Sequence, residues 1–417
     1  MEAEPGLDTV PLVRAPHGVE PAIWSLMLGT FLVGTGEFGI MGMLPEFARS
    51  LNLSLAQASG AIPAYAMGVV FGAPLFAIIG ATWPRRRFLL ALVTVFCIGN
   101  FLSALAPTLP LIEAARFLAG LPHGAFFGVS ALVAASLFER ARRGRAVGRV
   151  LTGIMVSTVV GAPLSTFAAE QIGWRMSYLS LGVLSLLLWV CVWRYTPSDP
   201  AHPGASALRE LGAFRRPQVL LTLATGAVGF GGLFAVYSFL TATLDHVTHL
   251  SGPWRMTFLV IWGAGMVAGN HFGSQLIDRN LDQAAIGSLL FSVVFLIGFS
   301  LLVKHPVLLA IDTFLLPATL IVVSPAMQTR LMEVADDAQT LAASLNHSAF
   351  NLANAIGAAL GGLLIGGGYG YASVGWCGAA LSIIGLAIYL VTIRLARNGQ
   401  HRHQLAHTAI SDAAQGR

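Results

Sequence analysis

The chain has 417 residues, of which 55% are hydrophobic and 10% are charged, and its mean hydropathy is +0.73. A soluble domain carries roughly 25% charged residues, so this composition excludes a soluble globule, a disordered chain and a nucleic-acid-binding protein. The net charge of +5 suits loops that face an anionic membrane surface. The three cysteines lie far apart in apolar runs, have no metal-ligand spacing and give no basis for a disulfide.

Residues 1–22 form a polar segment whose acidic residues do not resemble the basic head of a secretory signal. We interpret this segment as a cytoplasmic tail. A membrane-spanning helix needs about 20 apolar residues, and twelve segments of the chain meet this requirement. They cover residues 23–44, 57–81, 88–107, 110–137, 147–169, 175–195, 218–243, 255–277, 284–303, 306–332, 340–366 and 370–394.

The basic residues test this count of twelve, because cytoplasmic loops carry an excess of arginine and lysine. With a cytoplasmic amino terminus, 19 of the 24 basic residues fall on the cytoplasmic side and four fall on the outer side. Arg116 is left inside a span. A miscounted helix would exchange the sides of all later loops and remove this asymmetry. The chain is therefore predicted to cross the inner (plasma) membrane many times, with both termini in the cytoplasm.

The longest polar and proline-rich break, residues 196–217, lies between the sixth and seventh spans. We predict that it is a cytoplasmic linker between an amino-terminal bundle of six helices (23–195) and a carboxy-terminal bundle of six (218–395). Residues 396–417 are predicted to be a second cytoplasmic tail. The expected fold is an all-α membrane protein with twelve transmembrane helices in two pseudo-symmetric six-helix bundles.

Glycines in the two halves repeat at nearly one spacing. Gly72 has a counterpart at Gly269, and Gly161 has one at Gly357, at offsets of 197 and 196 residues. Two features that share nearly one offset favour an internal repeat, which agrees with six spans on each side of the break.

Glu37 is the first ionisable residue predicted to lie inside the membrane. A charge at the bilayer centre costs at least ~2.5–3.5 kcal/mol, so such residues usually face a cavity or a partner. Glycines at positions 34, 36 and 39 would let a ligand or another helix approach Glu37 closely. A carboxyl group in a low-dielectric cavity favours its neutral form, so Glu37 is predicted to take up and release a proton. A structural ion pair or a hydrogen bond between helices is the alternative.

Two further ionisable residues complete the predicted proton-coupling group of Glu37, Arg116 and Asp312. Arg116 keeps its charge and therefore needs an anionic partner, a carbonyl group or water. In one interpretation Arg116 binds Glu37 or a polar ligand. In the other, Arg116 is a fixed structural contact. Asp312 lies opposite Arg116 at an offset of 196 residues, and is either a second protonatable site or a residue that reaches the outer interface.

Uncharged polar residues at membrane depth are candidates for the substrate site. His123 either relays protons or makes a simple hydrogen bond within the bundle. Asn346, Asn351 and Asn354 lie on the eleventh span, where their amides suit either an uncharged polar ligand or contacts between helices. Phosphate-binding loops and hydrolase motifs are absent from the sequence, so neither an enzyme nor a cofactor is expected.

Several stretches of the chain together resemble the major facilitator superfamily, and within it the arabinose-efflux-permease-like members of the drug:proton antiporter-1 branch. The resemblance extends from about residue 22 to 395. The stretches that carry it are Gly36–Gly42, Arg116 with Gly120–Gly128, Gly161–Pro163, Gly173–Arg175 and Ala349–Leu352.

The resemblance implies two bundles that rock around a central cavity and export a small molecule as protons enter. It implies that Arg116 is tied to proton coupling and that Glu37 lies in the cavity. The predicted cavity residues are Glu37, Phe38, His123, Phe127, Asn346, Asn351 and Asn354. The predicted gating residues are Arg85, Arg86, Arg87, Gly161, Pro163, Asp278 and Arg279.

One loop departs from the family pattern. The loop after the second span normally has an acid before its arginines, and here Ala81 or Thr82 occupies that place. The second half keeps the pair Asp278-Arg279. The charge network of the inner gate is therefore expected to differ between the two halves.

The predicted function is secondary active export of a sugar, a nucleoside or a drug-like molecule by proton antiport with alternating access. A uniporter, a proton-coupled importer of a sugar or nucleoside, and a non-transporting membrane sensor are the alternatives. The predicted partners are the small-molecule substrate, protons and membrane lipid, without nucleic acid, and the protein is expected to be a monomer.

Overall fold

A computed structural model describes the backbone of residues 18–80, 83–139, 142–198, 216–334 and 339–415. Within these ranges the regular elements are helices, and no strand occurs. They form twelve helical units, labelled α1 to α12, which follow the twelve predicted spans. Most of the predicted amino-terminal tail and of the linker between the halves lies outside the described residues.

The first half contains six helical units and one short helix, Leu44–Ser50, between the first two units. The units are α1 (Val19–Gly42), α2 (Leu55–Ala58 and Ala61–Gly80), α3 (Arg85–Leu105), α4 (Leu109–Gly120 and His123–Ser136), α5 (Arg143–Val156, the π-helical turn Ser157–Gly161, and Ala162–Ile172) and α6 (Trp174–Tyr195).

The second half contains the other six units. They are α7 (Pro217–Gly229 and Gly231–Tyr237, followed by Leu240–Thr243 and the π-helical turn Leu244–Thr248), α8 (Pro253–Arg279), α9 (Leu281–Leu302), α10 (Pro306–Leu320 and Val323–Val334), α11 (Gln339–Gly366) and α12 (Ser373–Gln415). The last helix continues past residue 394, where its span was predicted to end.

Eleven helices in the described ranges are long and apolar enough to cross a membrane. The unit outside this set is α8, which has 27 residues and is therefore long enough. Its second half carries Asn270, His271, Asp278 and Arg279, and these polar residues lower its hydropathy. Large apolar side chains cover the outside of the bundle, as a lipid-facing surface requires.

Prolines explain several interruptions of the long helices, because proline lacks the amide hydrogen that the helix needs. Pro122 separates the two parts of α4, so His123 is the first residue of the second part. Pro163 is the second residue of the helix that follows the π-helical turn of α5. In α10 the break comes just before Pro325. These interruptions lie within spans that the sequence presents as continuous apolar segments.

Glycines bring pairs of helices into backbone contact in both halves. A Cβ atom at any of four glycines in α2 and α8 would collide with a backbone carbonyl oxygen of α4 or α10. Each glycine of α2 has its counterpart in α8 197 residues later. The residues that they contact in α4 and α10 are also 197 residues apart. The pairs are Gly68 with Phe117, Gly72 with Leu121, Gly265 with Phe314, and Gly269 with Ala318. The internal repeat inferred from Gly72 and Gly269 is therefore also a repeat of packing contacts.

The two halves contact each other at the end of the bundle where α1 ends and α2 and α8 begin, which we call the closed end. On one side of it, Gly362 and Gly366 of α11 pack against Ser59 and Ala56 at the start of α2. Between the halves, the hydroxyl group of Thr241 donates a hydrogen bond of 3.2 Å to the carbonyl oxygen of Met41.

The other side of the closed end is held by ion pairs of Arg255, in the first turn of α8. Its Nη1 lies 2.9 Å from Glu46 Oε1, and its Nη2 lies 2.9 Å from Glu170 Oε1. Arg255 is only 6% exposed. One arginine of the second half thus binds two carboxylates of the first half in a water-poor environment. We call these three residues the arginine clamp.

Candidate functional site

Glu37 lies in the last third of α1, 4% exposed, and residues from both halves contact its carboxyl group. The amide of Asn354, on α11, donates a hydrogen bond of 3.2 Å to Glu37 Oε1. On the other side, Nε2 of His123, on α4, lies 3.7 Å from Glu37 Oε2. The structure therefore brings together three residues that were predicted separately, and the carboxyl group lies at the boundary between the halves.

His123 connects Glu37 to a buried tyrosine. The hydroxyl group of Tyr65, on α2, lies 3.1 Å from His123 Nδ1 and also lies 3.4 Å from the carbonyl oxygen of Val33. The imidazole stacks on the ring of Phe127, with 4.8 Å between centroids. These contacts fix the ring plane, so that one nitrogen faces Glu37 and the other faces Tyr65.

His347 of α11 completes this group from the second half. Its ring centroid lies 5.6 Å from that of Phe127 and 6.5 Å from that of His123. His347 was not among the predicted cavity residues, since its sequence neighbours give no sign of this contact. His123 and Phe127, which were predicted to line the cavity, therefore also lie at the boundary between the halves.

Arg116 is fully buried on α4 and binds the backbone beside Glu37 rather than the Glu37 carboxylate. Its Nη2 donates a hydrogen bond of 2.7 Å to the carbonyl oxygen of Gly36. The guanidinium carbon lies 4.4 Å from the ring centroid of Tyr65 and 5.1 Å from that of Tyr178. Nε and Nη1 have no hydrogen-bond partner among the described residues. Its positive charge is thus stabilised by a carbonyl oxygen and two aromatic faces.

Four aromatic residues extend from the site into the second half, and we call them the aromatic cluster. Phe38 of α1 contacts Phe234 and Tyr237 of α7, with ring centroids 6.5 Å and 6.2 Å apart. Tyr237 stacks on Trp262 of α8 with 4.9 Å between centroids. Only Phe38 among them was predicted to line the cavity, because the other three lie in apolar runs where an aromatic residue is ordinary.

The three predicted asparagines of α11 differ in their contacts. Asn354 binds Glu37, whereas the amide of Asn351 donates a hydrogen bond of 3.1 Å to the carbonyl oxygen of His347 one turn earlier. The side-chain oxygens of Asn346, Asn351 and Asn354 are buried and have no hydrogen-bond partner within the described part of the chain. Asn354 is therefore the asparagine with a direct contact to the first half.

Asp312 is buried in α10, but its described neighbour is Gly298 of α9 rather than Glu37 or Arg116. Its Oδ2 has no hydrogen-bond partner among the described residues. The structure therefore does not bring Asp312 into the group of contacts around Glu37. At the offset of 197 residues that relates the packing contacts of α4 and α10, the counterpart of Arg116 is Thr313, so Asp312 is displaced by one residue from the predicted match.

The predicted gating residues lie at two depths. Gly161 packs against the side chain of Thr35 in α1, next to buried Pro163. Arg85, Arg86 and Arg87 begin α3, and exposed Asp278 and Arg279 end α8, at the end of the bundle opposite the closed end. Ala81 and Thr82, which replace the usual acid, lie outside the described residues.

The sequence interpretation did not find the arginine clamp. Arg255 was counted as one of four basic residues in outer loops, and Glu46 and Glu170 gave no signal of their own. The chain positions of these residues placed all three at the same end of the bundle. Their convergence depends on the packing of α8 against α5 and on the short helix after α1, which hydropathy does not describe.

Twelve helical units in two repeated halves, with a buried carboxyl group contacted from both, are typical of a membrane transporter with a candidate site at the boundary between the halves. A profile of the Major Facilitator Superfamily matches residues 26–335. The chain belongs to this superfamily, and it is a multi-pass membrane transporter, not an enzyme. The predicted family and fold class are confirmed.

The comparisons with individual proteins agree. The inner membrane transport protein YdhP of Escherichia coli (strain K12) is 37% identical over 367 residues, which are 88% of this chain and 94% of that protein. The chloramphenicol resistance protein of Streptomyces lividans is 30% identical over 375 residues, 88% of this chain and 94% of that protein. A crystal structure of the nucleoside transporter NupG superposes with a TM-score of 0.70 at 14% identity, covering 89% of this chain and 99% of that one.

Proposed function

We propose that this protein exports a small molecule across the inner membrane in exchange for protons, with both termini in the cytoplasm. The observation that carries the proposal is the position of Glu37. Its buried carboxyl group accepts a hydrogen bond from Asn354 of the second half and lies beside His123 of the first half. A change in its protonation therefore acts directly on a contact between the halves.

The proton site follows from the charge balance around Glu37. Arg116, the buried cation nearest in this group, uses Nη2 to bind the Gly36 carbonyl oxygen. Glu37 thus relies on an amide and an imidazole, and an ionised carboxylate in such a place is costly. Taking up a proton removes this cost and weakens the attraction for the Asn354 amide. The proton and the movement of the halves are thereby linked.

His123 and Tyr65 supply a route by which a proton reaches Glu37. Tyr65 lies within hydrogen-bond distance of His123 Nδ1, and Nε2 lies 3.7 Å from Glu37, so a small movement of the ring completes a line of groups that donate and accept hydrogen bonds. The closed end, held by the arginine clamp, separates this line from one side of the membrane. We assign the closed end to the outer side, so that the structure corresponds to a state closed to the outside.

The substrate class is a sugar, a nucleoside or a drug-like molecule. The relative from Streptomyces lividans is named for chloramphenicol resistance and favours a drug-like substrate. The name of the Escherichia coli relative refers only to inner membrane transport. We therefore use radiolabelled chloramphenicol as the first transport probe.

The experiment places the purified protein in liposomes with chloramphenicol and a pH-sensitive dye, and imposes a pH gradient. Proton antiport predicts uphill movement of the probe that stops when the gradient is collapsed. Glu37→Gln keeps the size of the side chain and should abolish the uphill component. Glu20→Gln is the matched control, because Glu20 forms an exposed pair with Arg149. Uphill transport that survives Glu37→Gln unchanged would contradict the proton-site assignment.

The same vesicles separate the alternatives. Probe flux that equilibrates at one rate with or without the pH gradient indicates a uniporter. Probe movement in the same direction as the protons indicates a proton-coupled importer. Binding of the probe without flux in either direction indicates a membrane sensor.

A further inference from the structure

The aromatic cluster contains buried hydrogen-bonding atoms that the described protein leaves unused. The hydroxyl group of Tyr237 and Nε1 of Trp262 have no hydrogen-bond partner among the described residues, and neither has Oδ1 of Asn354. Tyr237 is 1% exposed and Trp262 is fully buried. Each such group costs about 1–3 kcal/mol when it is left unsatisfied. Two of these groups are donors on stacked rings, so they suit a ligand that brings acceptors.

These groups are adjacent to Glu37. Phe38 follows Glu37 in α1 and contacts both Phe234 and Tyr237. On the other side, Gly357 lies one turn after Asn354 and packs against Phe234. The aromatic cluster therefore continues directly from the proton site.

The contacts of Phe38 cross the boundary between the halves, because α1 belongs to the first half and α7 to the second. When the halves separate at this depth, Phe38 moves away from the faces of Phe234 and Tyr237. These faces then lose their aromatic neighbour. A flat ring of similar size replaces that contact, whereas a saturated ring cannot stack in the same way.

The charges of the site exclude a negatively charged ligand. Glu37 is the acidic residue next to the cluster, and an anion would face its carboxyl group. The cation of this region, Arg116, lies against Tyr65 and Tyr178 and binds the Gly36 carbonyl oxygen instead of facing the cluster. A ligand without negative charge avoids this repulsion.

We infer that the aromatic cluster binds the substrate, and that the substrate carries a planar aromatic ring with hydrogen-bond acceptors and no negative charge. The ring stacks on Tyr237 and Phe234 in place of Phe38. The hydroxyl group of Tyr237 and Nε1 of Trp262 donate to its acceptors. This inference rests on the proposed transport function and narrows its substrate class.

The test measures binding to the purified protein in detergent, without a pH gradient. Three matched sets of probes are compared by the shift in unfolding temperature and then by titration. The sets are uncharged heteroaromatic compounds with ring acceptors, their analogues with saturated rings, and their carboxylate derivatives. We expect binding in the first set, and at least tenfold weaker binding in the other two.

Two variants remove a donor. Tyr237→Phe keeps the ring and loses the hydroxyl group, and Trp262→Phe loses the indole N–H and leaves a smaller aromatic ring. Each should weaken binding of the aromatic probes about fivefold to tenfold. The matched controls are Tyr369→Phe and Trp254→Phe, whose side chains are exposed, and these should bind as the unaltered protein does. The unfolding temperature without ligand shows whether each variant is folded. If only one of the two variants is folded, that variant alone tests the predicted loss of affinity.

Three results would overturn the inference. They are the absence of binding in the aromatic set, equal binding of the saturated analogues, and unchanged affinity in the folded donor variants. A failure of proton antiport leaves this assay unaffected, because it uses no gradient. The two hypotheses can therefore fail separately.

Discussion

Asn354 and Glu37 face each other across the boundary between the two halves, joined by one hydrogen bond of 3.2 Å. Asn354→Leu removes the amide and leaves the carboxyl group without this donor. A hydrogen bond to a charged group contributes about 1.5–3 kcal/mol, so proton-driven flux should fall by tenfold or more. The measurement is the initial rate of probe movement in liposomes under a fixed pH gradient. Asn351→Leu is the control, since its amide binds within α11, and an equal loss in both variants would contradict a special role for Asn354.

The arginine clamp should hold the closed end shut. Arg255→Met removes both ion pairs and leaves two buried carboxylates near each other, which destabilises the closed arrangement. Spin labels are placed at exposed Gln171 and Ser251, on opposite sides of the clamp. The fraction of molecules with a longer distance between the two labels should be at least tenfold larger in Arg255→Met than in the protein that keeps Arg255. The measurement is pulsed electron resonance on protein in which Cys97, Cys191 and Cys377 are replaced.

Arg49→Met is the matched control for the clamp. Arg49 binds the same Glu46 oxygen at 2.6 Å, but it is exposed and belongs to the same half as Glu46. Its loss should leave the distance distribution unchanged, because exposed pairs contribute little. A distribution that stays closed in Arg255→Met, or opens equally in Arg49→Met, would refute the clamp.

His123 should carry protons between Tyr65 and Glu37. His123→Phe keeps the stack on Phe127 but removes both nitrogens, so proton movement should slow by about tenfold or more. Tyr65→Phe should have a similar effect, and the double variant should be little worse than either, because both act on one route. Proton uptake is followed with a dye inside the liposomes. His271→Phe, at an exposed position of α8, serves as the control, and additive losses would argue against a shared route.

The glycine contacts should be sensitive to one added methyl group. Gly68→Ala and Gly265→Ala each place a Cβ atom against a carbonyl oxygen of the neighbouring helix. Overpacking of this kind costs about 1–3 kcal/mol, so the unfolding temperature should fall in both. Gly287→Ala is the control because its Cβ atom meets open space, and it should not lower that temperature. An unchanged unfolding temperature in both Gly68→Ala and Gly265→Ala would show that the helices can move apart at little cost in free energy.

The fold was predictable because lipid imposes strong constraints on sequence. Every backbone group in the membrane must be paired, so spans appear as long apolar helices, and the arginines fix their number. The helix interruptions at Pro122 and Pro325 were not predicted, since hydropathy averages over them. The span predicted for α8 rests on the apolar first part of that helix and on the arginine count, because polar residues lower the hydropathy of the whole helix.

The site was predictable in its residue types but not in its contacts. Glu37, His123 and Asn354 stood out because polar groups at membrane depth are costly and therefore have partners. Which partner each one chooses depends on how the helices are rotated, and the sequence pattern does not contain that rotation. Hence Arg116 was predicted beside Glu37, yet its hydrogen bond goes to Gly36. Tyr65 and Trp262 were missed because aromatic residues in apolar runs are common.

The arginine clamp has no equivalent in the other half. At the offset of 197 residues that relates Gly265 to Gly68, the counterpart of Arg255 is Ala58, in the small-residue seam where α2 meets α11. One seam of the closed end is therefore ionic and the other is a close fit of small side chains. Acid weakens the first, whereas salt screens such a buried pair only a little, and both leave the second intact. We therefore expect the closed end to separate first along the ionic seam, while the small-residue seam acts as a hinge.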